Sequence, residues 1–434
     1  ELDGYNIRRG FWETSDLMYR FSLQVMARKI AHLKSNPLPP AEAAVPDMQQ
    51  LPAVTKMVER PRPFEVDLAV LEGMVKELSV LFKDYKELFN SNVMLVAVEQ
   101  DNYRLTSENV RLKFPLGLVG LTVSASVRTT DGSTVSDVLA ISSLDNPADL
   151  PSIEELKKKV KDFADNLMEL KETPMIEEYY TGPVLFEGGA ASRLFTDNLL
   201  SPGRLLALRT MAPARGMLDE QLGRRIIDSR LTVKNYTTLA EYNGTPLFGC
   251  YEIDGDGVVP AAELTLVENG VFKRMLNGRV PTLKAPESTG SARFMISPDN
   301  PMAIVSPGTI HVQASKGVGP EKLKKALLKA AKEADLEYAY IVRRIGGEAS
   351  AVYKVNVKDG KEIRVRVNNL SAPELTKLMD LKGISSDERV MNYFPNGVPA
   401  SLIYPSAIIV GDVEINRTTP KIEEEPVLKH PLQR

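Results

Sequence analysis

One cysteine, three histidines and no long apolar run mark this 434-residue chain by what it lacks. Nothing approaches the roughly 18 consecutive apolar residues of a membrane helix. Cys250 stands alone, so no intramolecular disulfide can form. His32, His311 and His430 are too scattered for any two to share a local metal-binding spacing. A net charge of -3 leaves no basic footprint for nucleic acid. Gly-x-Ser-x-Gly elbows, phosphate-binding loops and dinucleotide glycine fingerprints are missing too, which argues against serine hydrolases and nucleotide enzymes. The chain opens on Glu1-Leu2-Asp3-Gly4, without an initiator Met or a signal peptide. That reads as a fragment or processed form, and it leaves cytoplasmic and periplasmic locations equally open.

What is present is ordinary globular material, 43% hydrophobic and 26% charged. The length exceeds what one core usually organises, so two domains are expected. Apolar Leu17, Phe21, Val25, Ile30 and Leu33 give residues 14 to 34 a helical rhythm. Ser35 to Pro63, rich in Pro and Ala, reads as an extended connection. A second helix is expected over Asp67 to Phe89, and alternating strands over Asn92 to Leu144, with Asp131-Gly132 as a hairpin turn. Ser152 and Glu155 have the spacing of a capping box opening a helix to residue 172.

Strand patterns dominate afterwards: Lys234 to Ala240, Pro246 to Ile253, Glu263 to Glu268 and Val271 to Leu276, read as an antiparallel meander. A helix from Pro320, a strand at Tyr338 to Arg343 and a hairpin closed by Asp359-Gly360 follow. Ser371 and Glu374 predict one more helix. The expected class is α+β, with an N-terminal region 1–172, a strand-rich region 173–419 and a charged tail 420–434.

Gly182-Pro183-Val184-Leu185-Phe186-Glu187-Gly188-Gly189-Ala190-Ala191 resembles the metal-binding segment of the TldD/PmbA family, predicted zinc proteases and their inactivated homologues. Asn243-Gly244-Thr245-Pro246-Leu247, Tyr251 to Val258, Leu266 to Lys273 and Ser288 to Arg293 resemble the turns and hairpins of the same family over roughly residues 173 to 415. Active members carry His-Glu-x-x-x-His, where this chain has Phe186, Glu187 and Ala191. The resemblance thus implies that both histidine ligands are missing and the acid remains. A hydrolytic zinc needs about three protein ligands and one open position. The family also implies a cysteine ligand well after the Asp254-to-Val258 hairpin, whereas Cys250 precedes it and reads as a small buried hydrophobe.

The resemblance implies a homo- or heterodimer with a TldD/PmbA-type subunit, handling peptide or unfolded polypeptide. The leading expectation is an inactivated homologue, with Glu187 a vestigial catalytic residue and Gly188, Gly189 and His311 as candidate peptide-binding positions. An active peptidase using Glu187 with ligands from His311, Cys250 or a partner is the alternative. A gyrase-associated or nucleic-acid-binding modulator, suggested by the family's older name, is the third. No resident cofactor is expected. Glu252-x-Asp254-x-Asp256-Gly257 with Glu263 mimics a calcium loop, but its flanks read as strands rather than helices, so calcium at Asp254 and Asp256 is disfavoured. Arg364 and Arg366 share one strand face and, with Lys361 and the Arg343-Arg344 pair, read as a solvated basic surface.

Overall fold

Along the chain a four-stranded sheet forms first, from β1 (Thr55–Met57), β2 (Leu88–Leu105), β3 (Arg111–Arg128) and β4 (Thr134–Ser143). β2 and β3 are an antiparallel hairpin of two 18-residue strands, with β4 antiparallel and β1 parallel to β3. At about 3.3 Å per residue the hairpin is roughly 60 Å long. The computed structural model describes residues 3–60, 62–144, 146–210, 217–297, 302–347, 349–367 and 370–416. The expected tail from residue 420 and His430 lie outside these.

Helix α1 (Gly4–Ser35) and the single turn α2 (Pro40–Ala43) precede the sheet, and α3 (Leu68–Val80) and α4 (Ile153–Glu172) pack on it. Asp67 caps α3 by accepting the amides of Ala69 and Val70, and Ser152 with Glu155 closes the expected capping box of α4. Leu78 of α3 and Leu156, Val160, Phe163, Leu167 and Leu170 of α4 meet Leu121, Val123, Ala125 and Val127 of β3 in a first core. The second helix stops earlier than expected. It ends at Val80, tightens to a 3-10 turn by Asp84, and β2 begins at Leu88.

The rest is two mixed six-stranded sheets. One runs β16 (Glu362–Val365), β15 (Ala351–Asn356), β14 (Tyr338–Arg344), β5 (Tyr180–Glu187), β20 (Ala407–Ile415), β17 (Leu381–Ile384). The other runs β10 (Val271–Phe272), β9 (Glu263–Glu268), β6 (Leu231–Tyr236), β13 (Thr309–Ala314), β19 (Ala400–Pro405), β18 (Glu388–Tyr393). Two-stranded ribbons are added by β7 (Glu241–Tyr242) with β8 (Thr245–Pro246), and by β11 (Ala292–Phe294) with β12 (Ala303–Val305). Helix α5 (Gly189–Leu199) lies in the core that both large sheets share, and α6 (Pro320–Glu333) covers the far side of the first. Strand alternation makes the two layers possible. Val184 and Phe186 of β5 face α5, while Leu185 faces α6. The molecule is α+β, and none of its described helices is long and apolar enough to cross a membrane.

Three expected elements differ. Pro246 to Ile253 pairs only at Thr245–Pro246. Gly249 is pressed against Gly308, where a Cβ would lie 2.3 Å from the carbonyl carbon, and the Phe248 amide donates to Ser401 Oγ (2.7 Å) instead of to a strand. β10 stops after Phe272 because the amides of Lys273 and Arg274 both donate to Leu266 O, a bulge. The helix at Ser371 is reduced to a 3-10 turn, Leu375–Leu378. Pro373 disfavours helical backbone before it, and its carbonyl is taken by Asn198 of α5 (2.9 Å).

The long hairpin joins the two bodies. Val110 and Leu112 at its tip pack on Ile253, Phe114 tilts against Phe294, and Arg104 pairs with Asp256 (3.2 Å). The expected basic face also serves this junction. Arg364 and Arg366 are buried, not solvated: Arg364 pairs with Glu169 and donates to Asn166 of α4, while Arg366 pairs with Asp131 and donates to Thr173 O. Arg344 reaches Asp137 of β4 (2.5 Å). Sequence showed charges on one strand face. It could not show that acids from another sheet would meet them.

Candidate functional site

β5 delivers Glu187 to the edge of the sandwich, and the next two residues turn the chain into α5. Gly188 holds φ 54° and ψ -127°, backbone that side-chain-bearing residues avoid, and a Cβ there would lie 3.1 Å from an Arg389 guanidinium nitrogen. Ala190 and Ala191 are fully buried in the first turn of α5, where small side chains let the helix seat between the sheets. Phe186 is also fully buried, packed toward the same core. Phe186, Ala190 and Ala191 are therefore close-packed on the core side of the turn, while Gly189 is exposed.

Glu187 is part-exposed and held by charge. Arg343 Nε donates to its Oε2 (3.0 Å), Nη2 of the same guanidinium reaches Glu362 (2.9 Å), and Lys324 completes the chain at 2.6 Å. The Arg343 guanidinium sits 4.4 Å from the centre of the Tyr353 ring. Burial pushes the Glu362 carboxyl up, but its bond to Lys324 and the Arg343 charge outweigh that and hold it below the ordinary value. The two carboxylates thus share one guanidinium, which ties the end of β5 to β14 and to the start of β16.

His311 lies elsewhere. On β13 its neighbours Ile310 and Val312 enter the shared core, so the imidazole points to the opposite face of the sheet. There Nε2 lies 3.0 Å from both Glu388 oxygens, the Tyr242 hydroxyl donates to the same carboxylate, and Gln313 approaches Nδ1 (3.4 Å). Burial acts to raise the Glu388 carboxyl, yet His311 and Tyr242 together hold it lowered; the same bond, with burial, pushes Tyr242 up to about 12. Arg389, the next residue on β18, comes to Gly188 instead. Successive residues of β18 thus serve opposite faces, and the structure does not bring His311 together with Glu187, Gly188 and Gly189. Nothing in the local sequence marked Glu388 and Tyr242 as partners of His311, because they come from two distant segments.

The loop at Asp254 is an internal brace. Asp254 accepts the amides of Asp256 (2.9 Å), Val258 (2.8 Å) and Ala292 (3.0 Å), and Asp256 pairs with Arg104 and accepts the Arg279 amide (3.2 Å). Glu252 pairs with Lys56 and Glu263 with Lys234. The oxygens that would have to surround calcium point to different partners. Cys250 is exposed rather than the small buried hydrophobe expected. Among the described residues, no group of three or more His, Cys, Asp or Glu is placed to hold a metal ion.

Two facing mixed sheets around a short helix, joined to a helix-backed antiparallel sheet, define the class of protein: an α+β fold with a strand-rich C-terminal region. Residues 180–416 match the model of the PmbA/TldA metallopeptidase C-terminal domain, and the chain belongs to that family. Its fold is similar to that of TldE from Thermococcus kodakarensis (TM-score 0.53, 16% identity, 88% of this chain and 81% of that one). It is equally similar to that of a modulator of a DNA gyrase from Thermotoga maritima (TM-score 0.53, 15% identity, 86% and 81%). No curated protein matches the chain. The family implies a metal, and at the turn that resembles its metal-binding segment the residues present do not offer a ligand set. Phe186 and Ala191 carry no donor atom and are wholly buried, and Glu187 pairs with Arg343.

Proposed function

We propose that this member of the metallopeptidase family is an inactivated homologue, a peptide-binding or structural subunit of a dimeric, protease-like assembly. The observation that carries this reading is the donor chemistry of the β5–α5 turn. Two apolar side chains fill the core where imidazoles would be needed, and the one carboxylate is paired with a guanidinium 3.0 Å away. In this reading Glu187 is a vestige that now ties β5 to β14, and Gly188, with its positive φ, keeps the turn tight. The separation of His311 from Glu187 speaks against the active-peptidase alternative. The division into regions 1–172, 173–419 and 420–434 belongs to the same proposal.

An extended peptide would add most naturally to a free sheet edge, through main-chain hydrogen bonds. β18 ends its sheet and offers such an edge. The partner would be a TldD/PmbA-type subunit, a second copy or a relative. The net charge of -3 supports neither direct nucleic-acid binding nor the gyrase reading that a neighbour's name suggests. The deciding experiment is zinc quantification per chain in purified protein, followed by peptidase assays with unstructured peptides. Background zinc and no cleavage are expected. Stoichiometric, chelator-sensitive zinc with cleavage would overturn the proposal.

A further inference from the structure

Helix α1 spans 32 residues, and not one of them is buried. Twelve of its large apolar side chains are exposed, Trp12 at 71% and Phe11 at 69% among them. Tyr5, Trp12, Tyr19 and Met26 recur every seven residues, so they form one continuous stripe down a rod about 48 Å long. Helices in proteins draw most of their stability from packing an apolar face. At several tens of Å² for each side chain, the uncovered area is on the order of 1,000 Å², comparable to the roughly 800 Å² per partner of a stable interface. Patches of this size mark interaction surfaces.

The same chain carries a matching receptor. α3 is 13 residues long and covers only part of the long hairpin, which leaves the helical layer over β2 incomplete. The gap is a mostly apolar trough of about 390 Å³, lined by Val66, Leu68, Leu71 and Val75 on one side and Leu95 and Ala97 on the other, with Glu72 and Lys76 also in its wall. Leu68 is 71% exposed at its rim. Charge fits as well. Residues 4–35 hold six Lys or Arg against two Asp or Glu, a net of +4, whereas residues 64–84 hold five acids against two lysines, a net of -3. The root of α1 is fastened away from the trough: Lys29 pairs with Asp47, and Arg209 holds the carbonyls of Val45 and Pro46.

We infer that α1 docks into the α3–β2 trough of a second copy of this chain, and that the exchange is reciprocal, giving a two-fold symmetric dimer. This rests on the reading of the chain as an assembly subunit and names the surfaces that would build the assembly. Basic flanks of α1 would lie along the acidic rim of the partner's trough, so association weakens as salt rises.

The test uses the full chain in sedimentation-equilibrium and light-scattering measurements. Wild type is expected to be a dimer. A Trp12→Glu/Met26→Glu variant and, separately, a Leu68→Glu variant are each expected to halve the molar mass. Both keep wild-type circular dichroism, because every altered side chain is exposed in the monomer. Mixing the two variants restores one intact α1–trough contact and is expected to recover dimer that neither forms alone. A monomeric wild type, a dimer unmoved by either variant, or one moved by the α1 changes but not by Leu68→Glu would each overturn the inference. Zinc content and peptidase activity are read on the same samples. A monomer without zinc would sink the docking and leave the metal-site reading standing, and a zinc-bearing dimer would do the reverse.

Discussion

α1 and α5 are both regular helices, and the contrast between them is instructive. α5 has 11 residues, seven of them buried, and sits between two sheets. α1 has 32, none buried, and touches little of its own chain. The short helix is held by its surroundings, so its sequence can be small and nearly featureless: Gly189, Ala190, Ala191 and Ser192 in its first turn. The long one has apolar side chains to spare and nothing to spend them on. Regular backbone is common to both, and burial is what separates a structural helix from one awaiting a partner.

The sharpest way to break this comparison is at the α5 end. Phe186→Ala opens a cavity in the core against which α5 packs, and should cost about 3–5 kcal/mol in denaturant unfolding. Next comes the junction between the bodies. Arg366→Ala leaves Asp131, whose carboxyl is lowered to about 2, beside an emptied pocket. A loss of about 2 kcal/mol is expected by the same measurement, from the lost ion pair and the Thr173 carbonyl left without its donor, since Asp131 itself stays part-exposed.

Asp254 supplies a pH test of opposite sign to the junction. Burial raises its carboxyl from 3.8 to about 6, against the pull of three amide donors. A raised folded pKa gives stability that is complete below about 3.8 and lost as pH climbs through 6. Wild type should therefore lose about 2 kcal/mol between pH 4 and 6 relative to Asp254→Asn, whose unfolding free energy carries no such slope from this position.

Glu187→Gln should matter far less. It removes one ion pair at a part-exposed site, worth about 1 kcal/mol at most, and a chemical melt resolves it. If peptidase activity exists and falls by orders of magnitude in this variant, the vestigial reading is lost. Smallest of all, single alanines at Phe11 or Leu17 on α1 should leave the unfolding of the dissociated monomer within about 0.5 kcal/mol of wild type. A large loss there would show that α1 packs on its own chain after all.

Much of this was legible in the residues. The capping box at Ser152 and Glu155 and the Val352-to-Val365 hairpin closed by Asp359-Gly360 are local devices, and each forms as its pattern implies. The turn motifs from Gly182 onward pointed to the family that residues 180–416 match. What misled were positions whose neighbours come from far away. Arg364 and Arg366 looked like a wet strand face until α4 and Asp131 closed over them. Cys250 looked like a buried hydrophobe, but the segment around it loops across Gly308 instead of joining a strand.

By itself the sequence determined the class of the protein, most helices and hairpins, and the absence of imidazoles beside Glu187, because propensity, capping and turn chemistry act within a few residues. Only the tertiary structure decided that Phe186 and Ala191 are sealed in a core, that His311 answers to Glu388 on the other face of its sheet, and that α1 is left uncovered. Those outcomes depend on which strands become neighbours, and pairing across a hundred residues or more is set by the collective burial of apolar surface, which no local pattern records.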